Sequence, residues 1–169
     1  MAYAALSTIQ TIAAGEVFTA ATLQQANDNG EFLIDPPACS IKETTAQSIA
    51  NTTAVALTAD EENYDNDSMH SGTDSKVYAQ TAGRYLLIAT VAYAANATGE
   101  RGVIFRVDGT TSYNSLVIPT RGAGSTTYVT GVRTLVFTAG QYVECMGYQN
   151  SGGALNTNLN EFAVLFLTR

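Results

Sequence analysis

From residue 38 onward, apolar and polar side chains alternate with a period of two, the spacing of strands with one face buried. ACSIKE (38–43) and SIANTTAVALT (48–58) predict a short strand pair, and TDSKVYAQ (73–80) predicts another strand. RGVIFRVDG (101–109) alternates cleanly, with Val103, Phe105 and Val107 inward and Arg106 and Asp108 outward. YNSLVIP (113–119), TTYVTGVRTLVFT (126–138), QYVECMGY (141–148) and FAVLFLT (162–168) complete the set. Turn chemistry separates them at Asp108-Gly109, Ala139-Gly140 and Ser151-Gly152-Gly153. Strands at this spacing, with no helical period after residue 38, predict a sandwich or barrel.

Two segments break the one-sided pattern. GRYLLIATVAYAA (83–95) carries Tyr85, Leu87, Val91 and Tyr93 on one face and Leu86, Ile88 and Ala92 on the other, and 162–168 is likewise apolar on both. A sandwich strand needs one apolar face for its own core. The second needs a cover, for which a sister subunit is the economical choice and a loop or the N-terminal arm the alternative.

Residues 1–37 differ. They hold Ile9, Ile12, Val17, Phe18, Leu23, Phe32, Leu33 and Ile34 without strand alternation. Thr22 and Gln25 form a capping-box pair and Asn29-Gly30 a left-handed stop, which predicts one short helix. Pro36-Pro37 predicts a stiff extended connector. The chain therefore divides into an attachment arm, 1–37, and a head, 38–169. Ile12, Phe18, Leu23, Phe32, Leu33, Pro36 and Pro37 are the expected particle-anchoring residues, apolar side chains suited to grooves on another surface.

Composition narrows the function classes. The 169 residues carry 8 Lys plus Arg against 15 Asp plus Glu, a net charge of −7, so the basic footprint of nucleic-acid binding is missing and an anionic membrane surface is equally disfavoured. The first residues lack the basic n-region of a secretory signal, and no apolar run approaches the roughly 20 residues of a membrane-spanning helix. Cys39 and Cys145 are expected as two small buried hydrophobes, a long-range disulfide being possible but unnecessary.

The raw material for catalysis is sparse. Ser/His/Asp and Cys/His schemes both depend on His70, the single histidine, and nothing near it resembles a nucleophile elbow. The acidic segment 60–74 holds Asp60, Glu61, Glu62, Asp65, Asp67 and Asp74. Asp65 and Asp67 are weak calcium candidates, since no glycine and terminal glutamate complete an EF-hand loop. A solvated acidic loop with an exposed His70 is the expectation, with no cofactor and no enzymatic activity. The sequons at Asn51, Asn66 and Asn96 are expected as chance in an Asn- and Thr-rich chain.

The order of motifs in NYDNDSMHSGTDSKVYAQTAGRYLLIATVAY (63–93) resembles the globular heads of the complement and tumour-necrosis-factor superfamily. Tyr64-Asp65, Lys76-Val77-Tyr78 and Gly83-Arg84-Tyr85 match its aromatic-Asp pair, short strand and Gly-x-Tyr turn into a long buried strand. LVFTAGQYVECMG (135–147) and FAVLFL (162–167) are similar to its later strands, although Gln141 stands where Asp is frequent. The resemblance implies a jelly-roll β-sandwich of about eight to ten strands forming a tight homotrimer. Tyr85, Leu87, Val91, Tyr93, Phe162, Val164 and Phe166 are the expected trimer interface.

AAGEVFTAATLQQANDNGEFLIDPPACSI (13–41) resembles the start of small structural proteins of tailed bacteriophages, through Gly15, Thr19, Ala20, Ala21, Asn27, Asp28, Asn29, Phe32, Leu33, Pro36 and Pro37. SIANTTAVALTADEENYDNDSMH (48–70) and YAANATGERGVIFRVDGTT (93–111) are also similar to them. This resemblance implies a virion-surface protein, a capsid decoration or head-fibre trimer whose partners are itself and the major capsid protein or another virion protein. The alternative is a minor tail or receptor-binding protein at the tail tip that recognises a host surface glycan, with Tyr113, Tyr128 and Tyr148 as the aromatic candidates.

Overall fold

The chain's structure is a computed structural model, described here for residue 17 and residues 19–169. One helix, α1 (Ala20–Ile34), precedes eleven strands: β1 (Ala38–Glu43), β2 (Ser48–Ile49), β3 (Thr53–Ala56), β4 (Glu61–Asp65), β5 (Lys76–Tyr78), β6 (Gly83–Tyr93), β7 (Glu100–Val107), β8 (Thr111–Pro119), β9 (Thr127–Phe137), β10 (Tyr142–Gln149) and β11 (Leu155–Thr168). They form two antiparallel sheets. The first runs β4-β1-β11-β6-β9, with β2 also on β11; the second runs β3-β10-β7-β8, with β5 also on β10. Apart from the β7–β8 hairpin, neighbours in each sheet are not consecutive in sequence, and the result is a jelly-roll β-sandwich.

The core sits where the inward positions of both sheets meet. From the first sheet come Cys39, Ile41, Tyr85, Leu87, Ala89, Val91, Tyr93, Val129, Phe137, Phe162 and Val164; from the second come Val77, Val103, Phe105, Val143 and Cys145. Phe105 stacks on Phe162 across the gap at 5.7 Å between centroids. The hydroxyl of Tyr93 donates to the Gly102 carbonyl at 2.7 Å and accepts from the Tyr148 N–H at 2.9 Å, so one buried phenol ties both sheets together. Burial pushes its ionisation well up, against the smaller opposing pull of the Arg101 guanidinium, and burial pushes that of Tyr85 to about 12. Cys39 and Cys145 are buried free thiols, Cys145 held protonated up to about 12 by burial alone.

Several expectations are corrected in detail. Residues 48–58 do not pair with 38–43: β2 joins β11 in the first sheet and β3 joins β10 in the second. The segment crosses between sheets, which alternation within a single run does not reveal. Residues 61–65 of the acidic segment are a strand, β4, paired with β1. The helix begins one turn earlier than the capping-box reading placed it: Thr19 is the N-cap, its side chain accepting from the Thr22 N–H at 3.2 Å. It continues through Asn29-Gly30 to Ile34, and Asp35 closes it by donating its N–H to the Glu31 carbonyl at 2.8 Å. Glycine inside a helix costs only about 1 kcal/mol, less than the burial of Phe32 two residues later returns. Pro36-Pro37 is the effective stop.

At the helix end of the sandwich a chain of aromatic rings closes the core. Phe32 of α1 meets Phe166 edge-on at 5.1 Å, Phe166 meets Tyr85 at 5.3 Å, and Tyr85 meets Phe137 at 5.7 Å. A Cβ on Gly83 would collide with the Phe166 ring, so the glycine makes the space that this ring occupies. At the opposite end the guanidinium of Arg101, wholly buried, donates to the carbonyls of Thr98 at 3.0 Å and Glu100 at 2.8 Å. Desolvation lowers its ionisation. The β7–β8 hairpin turns at Asp108-Gly109 with φ of 48° and 69°, the left-handed pair that a tight two-residue turn requires.

Candidate self-association face

Alternation along β6, β9 and β11 sorts their side chains onto two surfaces. The inner surface holds most of the expected interface set: Tyr85, Leu87, Val91, Tyr93, Phe162 and Val164 are buried, and Phe166 lies between the Phe32 and Tyr85 rings. A side chain with no surface left inside its own subunit has none to give to another. That expectation is therefore corrected: these residues build the subunit's core, and the open apolar positions lie on the other face of the same strands.

The register defines that other face. Across β6 and β9 the outward pairs are Arg84 with Val136, Leu86 with Thr134, Ile88 with Val132, Thr90 with Thr130 and Ala92 with Tyr128. Across β6 and β11 they include Leu86 with Leu165 and Ile88 with Ala163. Val136 is 70% exposed, Val132 58%, Tyr128 55% and Leu167 49%. The hydroxyls of Thr90 and Thr130 bond each other at 2.9 Å, so this pair of polar groups is partnered without water. One polar row crosses the sheet: Glu161 on β11 lies opposite both Thr90 and Lys42 and accepts from Asn63 Nδ2 at 3.2 Å, and Lys42 pairs with Glu61 at 2.8 Å. Arg84 marks one end. The exposed apolar positions between Arg84 and that row form a sheet face of the kind that marks an interaction site. Sequence reasoning missed β9 as its contributor. The signal was there: in 126–138, Tyr128, Val132 and Val136 occupy one parity while Val129, Leu135 and Phe137 occupy the other.

A second apolar strip lies at the seam between the sheets. β8 and β9 run side by side without a backbone ladder, bridged by Arg133 Nη1 donating to the Asn114 carbonyl at 3.0 Å. The Arg133 guanidinium lies 4.8 Å from the Tyr113 ring centroid. Gly131 permits this approach, because a Cβ there would sit 2.6 Å from Ser115 Oγ. Beside the seam, Leu116 and Val117 are exposed on β8.

The expected anchoring residues divide. Phe32 and Pro37 are buried against the head and Pro36 is half-buried, so these serve the subunit itself, which corrects that part of the expectation. Leu23 and Leu33 are exposed. Ile12 and Phe18 lie outside the described residues.

The acidic segment is folded, not solvated throughout. Asp65 accepts from three backbone N–H groups, those of Asp67 (3.2 Å), Met69 (3.0 Å) and His70 (2.9 Å), which shapes the β4–β5 loop. His70 is buried, contrary to expectation, with Nδ1 2.7 Å from Glu62 Oε1 and Nε2 2.9 Å from the Asp74 carbonyl. Asp67 is also buried. Among the described residues, no group of three or more His, Cys, Asp or Glu comes together in a way that would hold a metal ion. Asp60 caps the Thr44–Thr45 turn: the Thr44 N–H first, then both threonine hydroxyls, hold its carboxyl down at about 2 against the upward push of desolvation.

The three candidate tyrosines for a glycan are not gathered. Tyr128 stands on the outer face of the first sheet, Tyr113 is at the seam, and Tyr148 pairs with Gly102 and Ala54 in the second sheet.

No family model matches this sequence, and no curated protein sequence matches it. Solved structures do resemble the fold. The globular domain of zebrafish complement 1qA protein superposes with a TM-score of 0.58 at 12% identity, covering 79% of this chain and 99% of that one. The Eiger TNF from S. frugiperda gives 0.53 at 12% identity, with 79% and 95% covered. Murine APRIL, in its structure at pH 5.0, gives 0.51 at 12% identity, with 76% and 98% covered. At such identities the likeness establishes the jelly roll of complement and tumour-necrosis-factor heads as this chain's fold.

Proposed function

We propose that the chain is a non-enzymatic structural protein of a bacterial virus particle, a homotrimeric jelly-roll head on the capsid surface, fixed by residues N-terminal to α1. The observation that carries self-association is the apolar outer face of β6, β9 and β11, with Val132 and Val136 among its most exposed residues. A threefold ring is heterologous, so each subunit must offer two different patches. The sheet face supplies one and the exposed edge of β8 at the seam, with Leu116 and Val117 on its two faces, a second. The virion placement rests on the resemblance of 13–41, 48–70 and 93–111 to phage structural proteins, and the acidic surface fits a partner other than nucleic acid. Light scattering on the purified chain should give three times the subunit mass. Mixing it with particles assembled without it, then imaging them, should show added density at repeated capsid positions. A monomer at micromolar concentration defeats the trimer, and density confined to the tail tip defeats the capsid placement.

One observation favours tail-tip receptor binding as a second reading. The loops at the Arg101 end, 94–99, 120–126 and 150–154, are rich in Asn, Thr, Ser and Gly, neutral groups suited to sugar hydroxyls. Saturable binding of host-surface glycan to the purified chain, lost on grafting Ala over 122–125, supports it.

A further inference from the structure

Helix α1 is attached to the head the wrong way round for an ordinary amphipathic helix. Its one buried side chain is Phe32. At about 100° per residue, Gln25 and Asp28 fall on the Phe32 side. The opposite side carries Leu23, Ala26, Gly30, Leu33 and Ile34. Leu23 is 53% exposed, Leu33 75% and Ile34 86%, so the apolar arc points away from the core. Positions 23, 26, 30 and 33 follow the 3-4-3 spacing by which parallel helices seat against each other. Ala26 and Gly30 between two leucines leave room for close backbone approach.

We infer that α1 is part of the subunit interface and that the occupant of its apolar arc is the same helix of a second copy of this chain, not the particle. The inference rests on the trimeric reading above. Continuity with the sheet face argues for this occupant. Leu33 and Leu167 line one groove of about 290 Å³ together with Phe32, Pro36, Phe166, Thr168 and Arg169, and Leu167 lies on β11, the strand whose outward Leu165 and Ala163 belong to the proposed trimer face. A copy that covers the sheet is thereby brought alongside the helix. The helix has no basic residue, and Asp28 and Glu31 lie off the apolar arc. They keep carboxylates out of the helix seam but repel their counterparts, so added salt should tighten the pairing.

Ala26→Cys in the full chain provides the test, because Cys39 and Cys145 are buried. Under mild oxidation two of the three new thiols in a ring should join, giving covalent pairs and single chains on a denaturing gel. In parallel, Leu23→Glu with Leu33→Glu, both at exposed positions, should raise the concentration at which trimers dissociate by about tenfold or more for each leucine, while Val132→Asp should abolish trimers. No covalent pair, or an unchanged dissociation concentration in a chain that is still trimeric, overturns the helix inference and leaves the trimer standing. Loss of particle binding by the double variant with trimer strength unchanged also overturns it and gives the stripe to the particle. A monomeric wild-type chain overturns both readings.

Discussion

The two faces of β6 come from one eleven-residue run and end in opposite environments. Inward, Tyr85, Leu87, Ala89, Val91 and Tyr93 are sealed against the second sheet; outward, Leu86, Ile88 and Thr90 lie at a surface. Both rows are apolar enough to be core. What separates them is bulk and hydrogen-bonding capacity. The inner row carries two tyrosines whose hydroxyls find carbonyls, Tyr85 on Thr81 at 2.6 Å and Tyr93 on Gly102. The outer row is aliphatic with short polar side chains, the composition of a face that can be covered or left open. A face of that kind is the one proposed to join subunits; a face with rings locked into hydrogen bonds holds one subunit together.

Substitutions on each face should break this comparison in different ways. The largest effect belongs to the inner side: Phe105→Ala, which empties the stack on Phe162, should cost about 3–5 kcal/mol and lower the midpoint of chemical denaturation. Phe32→Ala should follow at about 3 kcal/mol, since it uncovers Phe166; deleting 1–37 should destabilise the head in the same way, whereas deleting 1–18 should not. Thermal melts of the two truncations test this directly. On the outer side, Val132→Asp should change the stability of the isolated subunit by no more than about 0.5 kcal/mol yet convert trimers to monomers in sedimentation. The smallest effect is the acid dependence of the Thr44–Thr45 turn. Because the folded-state ionisation of Asp60 is depressed to about 2, its contribution is complete above the ordinary carboxylate range near about 4 and fades as pH falls through about 2. Asp60→Asn should flatten acid unfolding in that window; an unchanged profile would remove the turn from the comparison.

The strands of the head were legible because their alternation is strict: Val103 and Phe105 are inward as read, and the Asp108-Gly109 turn falls where its chemistry placed it. The sidedness of the doubly apolar strands was not, because period two says that faces differ without saying which is covered by the subunit's own second sheet. Only long-range pairing decides that, and the pairing of β6 with β9 and β11 joins residues far apart in the chain, from Tyr93 with Thr127 to Arg84 with Thr168. His70 and Phe32 were misread for a related reason. Each is buried by contacts that local composition does not report, His70 by Glu62 and Asp74, Phe32 by Phe166.

The wedge of Arg101 under its loop carbonyls has a consequence for what the molecule can carry. Because the guanidinium braces residues 98 and 100 from inside, the neighbouring 120–126 loop leaves Ala123, Gly124 and Ser125 exposed, with open space around Gly124. That loop opens at the far end of the long strands from α1, on the order of 35 Å away for eleven extended residues. Foreign peptide sequences spliced in after Gly124 would be held outward at the tip, clear of the sheet face and the helix, which makes this loop a natural insertion point.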